Sequence, residues 1–274
     1  MAFLPERQSN RRQKKTLNDL ANYTIKEIEG FFAEGNVKEE FLAACAADKR
    51  KAVGRLVRRY EREQQDRARV AEMYAFEHIA MDEGFELVAG VDEAGRGPLA
   101  GPVSVAAVIL PRDLYLPKIN DSKKISAKVR EELFEEIQDK ALAIGTALID
   151  AQTIDRVNIY QATINGMYES IFMLKPQPQK VLIDAVKLDK LPMASESIIK
   201  GDARSASIAA ASIVAKVTRD RLMDAYDKQY PKYGFAQHKG YGTAQHLEAL
   251  KKYGPCPIHR MSFEPIRSLV NGMD

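Results

Sequence analysis

The sequence predicts an α/β domain preceded by an all-helical extension, and two observations carry that reading. Pattern changes near Gly84: residues 1–82 read as helical throughout, whereas beyond them short apolar runs alternate with stretches of helical periodicity. The second observation is size: 274 residues, 45% hydrophobic, suffice for about two domains at the usual ~100 to 200 residues each, with a buried core. The expected division is 1–82 as the helical extension and 83–274 as the α/β domain with its C-terminal helices.

In the extension, basic Arg11, Arg12, Lys14 and Lys15 come first, Thr24 and Glu27 have the spacing of a capping box, and Gly35-Asn36 is a breaker. From Asp48 to about Met81 the pattern is one long polar helix, with Val53, Leu56, Val57 and Tyr60 on one side and Arg58, Arg59, Arg62, Arg67 and Arg69 elsewhere. Two readings stand for it. One is an arm facing nucleic acid; the other is a solvated helix laced with pairs to the interleaved Glu61, Glu63, Asp66 and Glu72.

The α/β part opens with the apolar run Phe85–Val91, and Val103–Leu110 follows as a second, nearly uninterrupted strand. A helix near Ala127–Leu142, a strand at Ile144–Ile149 and a helix around Ile159–Leu174 come next. The short strand Lys180–Asp184 ends in an acid, and the strand Ser195–Lys200 runs into Gly201-Asp202. A long alanine-rich helix then begins at Ser205.

Between the first two strands lies Gly90-Val91-Asp92-Glu93-Ala94-Gly95-Arg96-Gly97-Pro98, two adjacent carboxylates followed by a glycine-arginine-glycine turn. Side chains alternate along a strand, so Asp92 and Glu93 serve one site only where the strand ends, and Gly95 and Gly97 supply that ending. The turn leaves backbone groups open to close approach by a ligand, with Arg96 at hand for phosphate. A dinucleotide-binding loop is excluded, because no G-x-G-x-x-G opens a helix here and the acids precede the glycines.

Asp184 and Asp202 stand at two further element ends. Taken singly, the first is an acid closing a strand in a turn and the second an N-cap. Carboxylate recurring at three element ends points instead to a cluster. Four clustered carboxylates raise one another's pKa values unless a cation neutralises them, so the set predicts a metal. Oxygen ligands select Mg2+ or Mn2+, and the chain offers no His or Cys at zinc spacing. Such carboxylates are typical of two-metal phosphodiester chemistry, in which one ion activates water and the other steadies the leaving oxygen.

Six segments, in this order, resemble bacterial ribonuclease HII: Gly90–Val103, Asn120-Asp121-Ser122-Lys123-Lys124, Lys200-Gly201-Asp202, Ser207–Lys216, His238-Lys239-Gly240-Tyr241-Gly242-Thr243 and Pro257-Ile258-His259-Arg260. The resemblance runs from roughly Gly84 to Leu269, and the unaltered Gly95-Arg96-Gly97 turn separates it from the sister ribonuclease HIII family. It implies a ribonuclease H-like mixed β-sheet flanked by helices. It also implies that Asp92, Glu93, Asp184 and Asp202 form the catalytic, metal-binding set. By the same resemblance Gly95, Arg96 and Gly97 read the ribose 2′-hydroxyl, largely through backbone groups, and Tyr241 packs on the sugar of the next nucleotide. Lys123 contacts substrate phosphate, with Asn120, Ser122 and Lys124 assisting. His238, His246 and His259 receive no catalytic role, since metal-activated water needs no histidine base; they contact phosphate or pack. Three features depart from the family: Ala185, where glycine commonly follows the acid, the long N-terminal extension, and the short end after Leu269.

The implied reaction is endonucleolytic hydrolysis of the RNA strand of an RNA–DNA hybrid with Mg2+ or Mn2+. It cuts on the 5′ side of a ribonucleotide, including one embedded in duplex DNA, and leaves a 5′-phosphate. Two rivals are a metal-dependent nuclease of broader range and a catalytically silent hybrid-binding protein. The intact carboxylates oppose the second rival, and the turn paired with Tyr241 opposes the first.

A net charge of +3 agrees with a polyanionic partner and equally with an ordinary enzyme surface. Cys45 and Cys256 are too far apart in sequence to suggest a zinc site or a disulfide framework. No signal core opens the chain, and no stretch approaches the ~20 apolar residues of a membrane span. The expectation is a cytoplasmic monomer.

Overall fold

The computed structural model describes Leu20, residues 23–35 and residues 37–271. Arg11, Arg12, Lys14, Lys15 and the Asn36 of the expected breaker lie outside the described residues. Contacts divide the chain into two compact units, residues 1–68 and 69–274.

In the first unit, α1 (Ile25–Ala33) opens with the reciprocal cap that its sequence predicts. The Thr24 hydroxyl accepts the Glu27 N–H at 3.2 Å, and the Glu27 carboxylate accepts the Thr24 N–H at 2.8 Å. Gly35 ends the helix region at φ 75°, and α2 (Glu39–Ala46) and α3 (Lys51–Glu72) follow. Ile28, Phe32, Cys45, Val53, Leu56 and Val57 form a small core, so the apolar side of α3 is the buried one. Its charges pair locally: Arg67 meets Glu63 one turn away at 2.9 Å, and Arg59 meets Glu29 at 3.3 Å.

The single helix expected from Asp48 to Met81 is two helices. α3 stops at Glu72, and α4 (Ala75–Asp82) begins after Met73 and Tyr74. The break has a packing cause, because both intervening residues are drawn into the core of the second unit. There the Met73 carbonyl accepts the Ala206 N–H at 3.0 Å, and the Tyr74 hydroxyl donates to the Leu114 carbonyl at 2.8 Å.

The second unit is built on five strands: β1 (Val88–Ala94), β2 (Val103–Ile109), β3 (Ala143–Ile149), β4 (Lys180–Asp184) and β5 (Ala194–Ile198). Their order is β3-β2-β1-β4-β5. The β1–β2 and β2–β3 pairs are antiparallel, whereas β1–β4 and β4–β5 are parallel, so the sheet is mixed as expected. Along β2, Ala106 and Val108 pack with α5 (Ala127–Lys140) and α8 (Ala206–Gln229), while Val105, Ala107 and Ile109 face α7 (Ile159–Met173). Burial on both faces explains why that strand reads as an apolar run without polar alternation. α6 (Ala151–Val157), capped by Asp150, escaped sequence reading because seven residues give too little periodicity. Short helices α9 (Phe235–His238), α10 (Ala244–Tyr253) and α11 (Ile266–Asn271) complete the unit.

The alanine-rich opening of α8 is buried on every side, and this lets the helix lie close against the sheet. Closest approach is at Gly90 of β1, where an added Cβ would meet the backbone of Ser207 and Ile208. That seat fixes where the start of α8, and the turn before it, stand relative to β1.

Candidate metal centre and substrate cleft

Parallel pairing sets Val91 of β1 beside Ile183 of β4, so the next residues, Asp92 and Asp184, emerge together at neighbouring strand ends. β1 ends at Ala94, immediately before Gly95, as the glycine turn predicts; next to that end the two carboxylates find different partners. Asp92 is buried; its Oδ1 accepts the Glu93 N–H at 2.7 Å, and Ser212 on α8, whose hydroxyl donates to the Ser122 hydroxyl at 2.9 Å, stands close enough to draw its pKa downward. Glu93 meets Arg96 at 3.3 Å, and its Oε2 is buried with no hydrogen-bond partner among the described residues.

Asp184 Oδ1 accepts the Gly201 N–H at 2.7 Å, tying β4 to the 3₁₀ turn Gly201–Ala203 that carries Asp202. Asp202 is not the cap of α8. Ser205 is, accepting the Ile208 N–H at 3.2 Å, while buried Glu77 accepts the Ser205 hydroxyl at 2.6 Å and the Ser207 N–H at 2.9 Å. Capping therefore does not explain Asp202. One carboxylate oxygen from each of Asp92, Asp184 and Asp202 lies within 4.8 Å of the other two. Glu93 stands beside this trio and outside it.

Charge in the cluster is poorly compensated. Burial pushes the Asp92 carboxyl well above its ordinary pKa, and the charges of Glu93 and Asp184 add to the rise against the pull of Ser212. Burial raises Glu93 despite the pull of Arg96. Asp202 is raised by burial, then by Asp121 and Asp184, against Lys123 and Lys124. Arg96, Lys123 and Lys124 leave the carboxylates raised, and a divalent cation would supply the further positive charge they call for. All donors are carboxylate oxygens, and among the described residues no His or Cys joins the group, so the donor set fits a hard cation and not zinc.

Ala185, the residue that follows Asp184, holds φ 51° and is exposed. A side chain in that left-handed region costs about 1 kcal/mol relative to glycine. Ala185→Gly should therefore raise the unfolding free energy by about 0.5 to 1 kcal/mol in a denaturant titration. A lower midpoint would mean that the turn does not need the left-handed conformation.

Beside the trio lies a cleft of about 420 Å³, lined by Glu93, Gly95, Arg96, Gly97, Ser122, Lys123, Lys216 and Tyr241. All five residues expected to bind substrate border this one space. Gly95 has φ 93° and rests on the Arg219 side chain, so neither its conformation nor its surroundings admit a Cβ. Tyr241 is 45% exposed, and its ring lies 3.8 Å from where a Cβ on Gly97 would stand. His238, His246 and His259, by contrast, are buried together: His246 stacks on His238, and its Nε2 is 3.0 Å from His259 Nε2. Burial draws the pKa of His246 and His259 down to about 4, so both are neutral packing groups near pH 7. Sequence reasoning gave no role to the buried Arg219 and Arg260, each of which donates three hydrogen bonds to backbone carbonyls. A signal existed for Arg219, which continues at helical spacing the buried row Ile208, Ser212 and Ala215 of α8.

A mixed sheet whose central strand ends present clustered carboxylates beside a glycine-lined cleft defines a metal-dependent nuclease of the ribonuclease H-like class. Comparison with known proteins narrows the class. The ribonuclease HII family matches residues 89–266, and the ribonuclease HII N-terminal domain matches residues 24–80. A ribonuclease HII of Acetivibrio thermocellus is 48% identical over 250 residues, covering 89% of this chain and 98% of that protein. The crystal structure of ribonuclease H2 from Pyrococcus horikoshii OT3 superposes with a TM-score of 0.59 at 28% identity, over 68% of this chain and 98% of that one. The ribonuclease HII of Archaeoglobus fulgidus, solved in complex with PCNA, gives 0.56 at 27% identity over 65% and 95%. The chain belongs to the ribonuclease HII family and is a type 2 ribonuclease H, an endonuclease.

Proposed function

We propose that the protein hydrolyses the RNA strand of RNA–DNA hybrids and nicks duplex DNA on the 5′ side of an embedded ribonucleotide, leaving a 5′-phosphate. The observation that carries this reading is the cleft in which the Gly95-Arg96-Gly97 turn and Tyr241 stand beside the carboxylates. A surface suited to a ribose thus adjoins the place where a scissile phosphate would be held.

Asp92, Asp184 and Asp202, with Glu93 beside them, would hold Mg2+ or Mn2+. When bound, such an ion supplies Lewis acidity that lowers the pKa of an attacking water and neutralises charge on the phosphate. The chain's own residues do the rest. Lys123 meets substrate phosphate, the turn's backbone groups take the 2′-hydroxyl, and the exposed Tyr241 ring packs against the following sugar. An N-terminal family match ending at residue 80 supports a division into an extension, 1–82, and a catalytic domain, 83–274, although the compact units meet at residues 68 and 69. Among the described residues no helix is long and apolar enough to cross a membrane, and the reading is of a cytoplasmic monomer.

The test is cleavage of a DNA duplex holding one ribonucleotide, with Mg2+, Mn2+ or chelator, beside an all-DNA duplex. A single metal-dependent nick 5′ to the ribonucleotide, absent from the all-DNA control, is the expected result. Cutting of the all-DNA duplex would favour the broader nuclease, and tight binding without a cut the hybrid-binding protein.

A further inference from the structure

Arg260 is 0% exposed; its guanidinium lies over the Phe263 ring, 5.0 Å from the centroid, and its hydrogen bonds go to backbone. Nη2 donates to the Gly95 carbonyl at 2.6 Å, Nη1 to the Arg96 carbonyl at 2.8 Å and Nε to the Gly101 carbonyl at 3.0 Å. No carboxylate forms an ion pair with it among the described residues. Stacking on a ring offsets only part of the cost of burying a guanidinium without an ion pair, so its three hydrogen bonds call for a role of their own.

The peptide bond supplies that role. In a trans peptide the C=O of one residue and the N–H of the next point in opposite directions. Drawing the Gly95 and Arg96 carbonyls inward onto Arg260 therefore turns the N–H groups of Arg96 and Gly97 outward, where both residues line the cleft. Among the described residues neither N–H donates to a protein acceptor, whereas nearby Leu99 and Gly101 donate to the Gly240 and Ile258 carbonyls, each at 2.8 Å. Two backbone donors thus stand unpaired on one side of the turn.

We infer that Arg260 is a positioning residue for substrate recognition: by holding two carbonyls of the turn it aims the Arg96 and Gly97 N–H groups at the 2′-hydroxyl oxygen of the ribonucleotide. The inference rests on the proposed reading that this turn takes the 2′-hydroxyl. A site whose donors await a hydroxyl rejects a nucleotide that lacks one, because those donors then go unsatisfied on binding. Lysine cannot replace Arg260, since one ammonium does not reproduce a planar fork reaching three carbonyls. Arg219 is also deeply buried, but it donates to the carbonyls of Ala100, Pro102 and Lys239 and touches the turn only by packing against Gly95.

The experiment uses the full chain with Mg2+. KM and kcat are measured on a duplex with one ribonucleotide, and Ki for an all-DNA duplex of the same sequence as competitor. Arg260→Lys should raise KM for the ribonucleotide duplex about tenfold while leaving Ki unchanged, so that discrimination falls. A folded Arg260→Lys protein with the wild-type ratio of Ki to KM overturns the inference.

Amide hydrogen exchange on the wild-type chain decides the matter if the variant does not fold. The Arg96 and Gly97 amides should exchange fast beside slow Leu99 and Gly101, and gain protection on the ribonucleotide duplex alone. Protection of Arg96 and Gly97 in the free protein overturns the positioning role. Equal protection by both duplexes removes the 2′-hydroxyl reading itself, whereas ribonucleotide-specific protection with an unchanged variant ratio removes only Arg260.

Discussion

Asp92→Asn is expected to abolish cleavage and, without metal, to make the protein more stable. Asp92 is the most deeply buried member of the trio, and its carboxyl is pushed far above its ordinary pKa by burial and by the charges of Glu93 and Asp184. Asparagine removes that charge at almost constant shape. Its carbonyl oxygen still accepts the Glu93 N–H. Losing a metal ligand should lower kcat by about a thousandfold or more. Relief of even about 1 kcal/mol of buried repulsion raises Tm by about 2 to 4 °C in a domain of this size. Thermal unfolding in chelator and in MgCl2 checks both halves: Mg2+ should raise the wild-type Tm more than the variant's. A variant less stable than wild type in chelator would show that the cluster is not electrostatically strained.

The pH dependence of the same pair of proteins carries a sign. Asp92, Glu93 and Asp202 titrate higher in the fold than in the unfolded chain, so the folded state holds more protons above the ordinary carboxylate range. Their contribution to metal-free stability is present at low pH and lost as pH rises through the folded values. His246 and His259 act oppositely. Burial lowers each from 6.5 to about 4, so their contribution is present above pH 6.5 and lost as pH falls toward 4. In the wild type the two trends oppose each other over that window. Asp92→Asn weakens the first, so its Tm should fall more steeply than the wild type's between pH 6.5 and 4.

Asp92, Asp184 and Asp202 are legible in the sequence only together: each alone reads as a turn or a cap, and it is carboxylate recurring at three element ends that points to a cluster. The direction of Glu93 is not legible there, since how far β1 stays paired with β2 beyond Asp92 is a tertiary event. Nor does local sequence tell Asp202 from Ser205 as the cap of α8. Both are good capping residues three positions apart, and only the chain path through the Lys200 turn, at φ 57°, separates them. The break after Glu72 hides for a similar reason: helical periodicity continues across it, and the force that interrupts it is the burial of Met73 and Tyr74. Arg260 is visible in its motif, yet its partners are carbonyls some 160 residues away, which no side-chain pattern records.

Those tertiary constraints meet at Gly90, and from it a second large effect is expected from a single methyl group. A Cβ at Gly90 would overlap the Ser207 carbonyl group and the Ile208 nitrogen. These are backbone atoms in the first turn of α8, so no rotamer change relieves the clash. Nor is the helix end free to slide. Ala206, Ser207 and Ile208 are buried, and Glu77 holds both the Ser205 hydroxyl and the Ser207 N–H. Overpacking against side chains costs about 1 to 3 kcal/mol, and here, against fixed backbone, Gly90→Ala should cost about 3 kcal/mol or more. The same displacement moves the Gly201–Ala203 turn, and Asp202 with it, away from Asp92. Under conditions where the variant remains folded, it should therefore need more Mg2+ than wild type for half-maximal cleavage. Denaturant unfolding and a Mg2+ titration of cleavage check the two parts. An unfolding midpoint equal to wild type would mean that α8 does not rest on β1 at Gly90, and the placement of Asp202 beside Asp92 would fall with it.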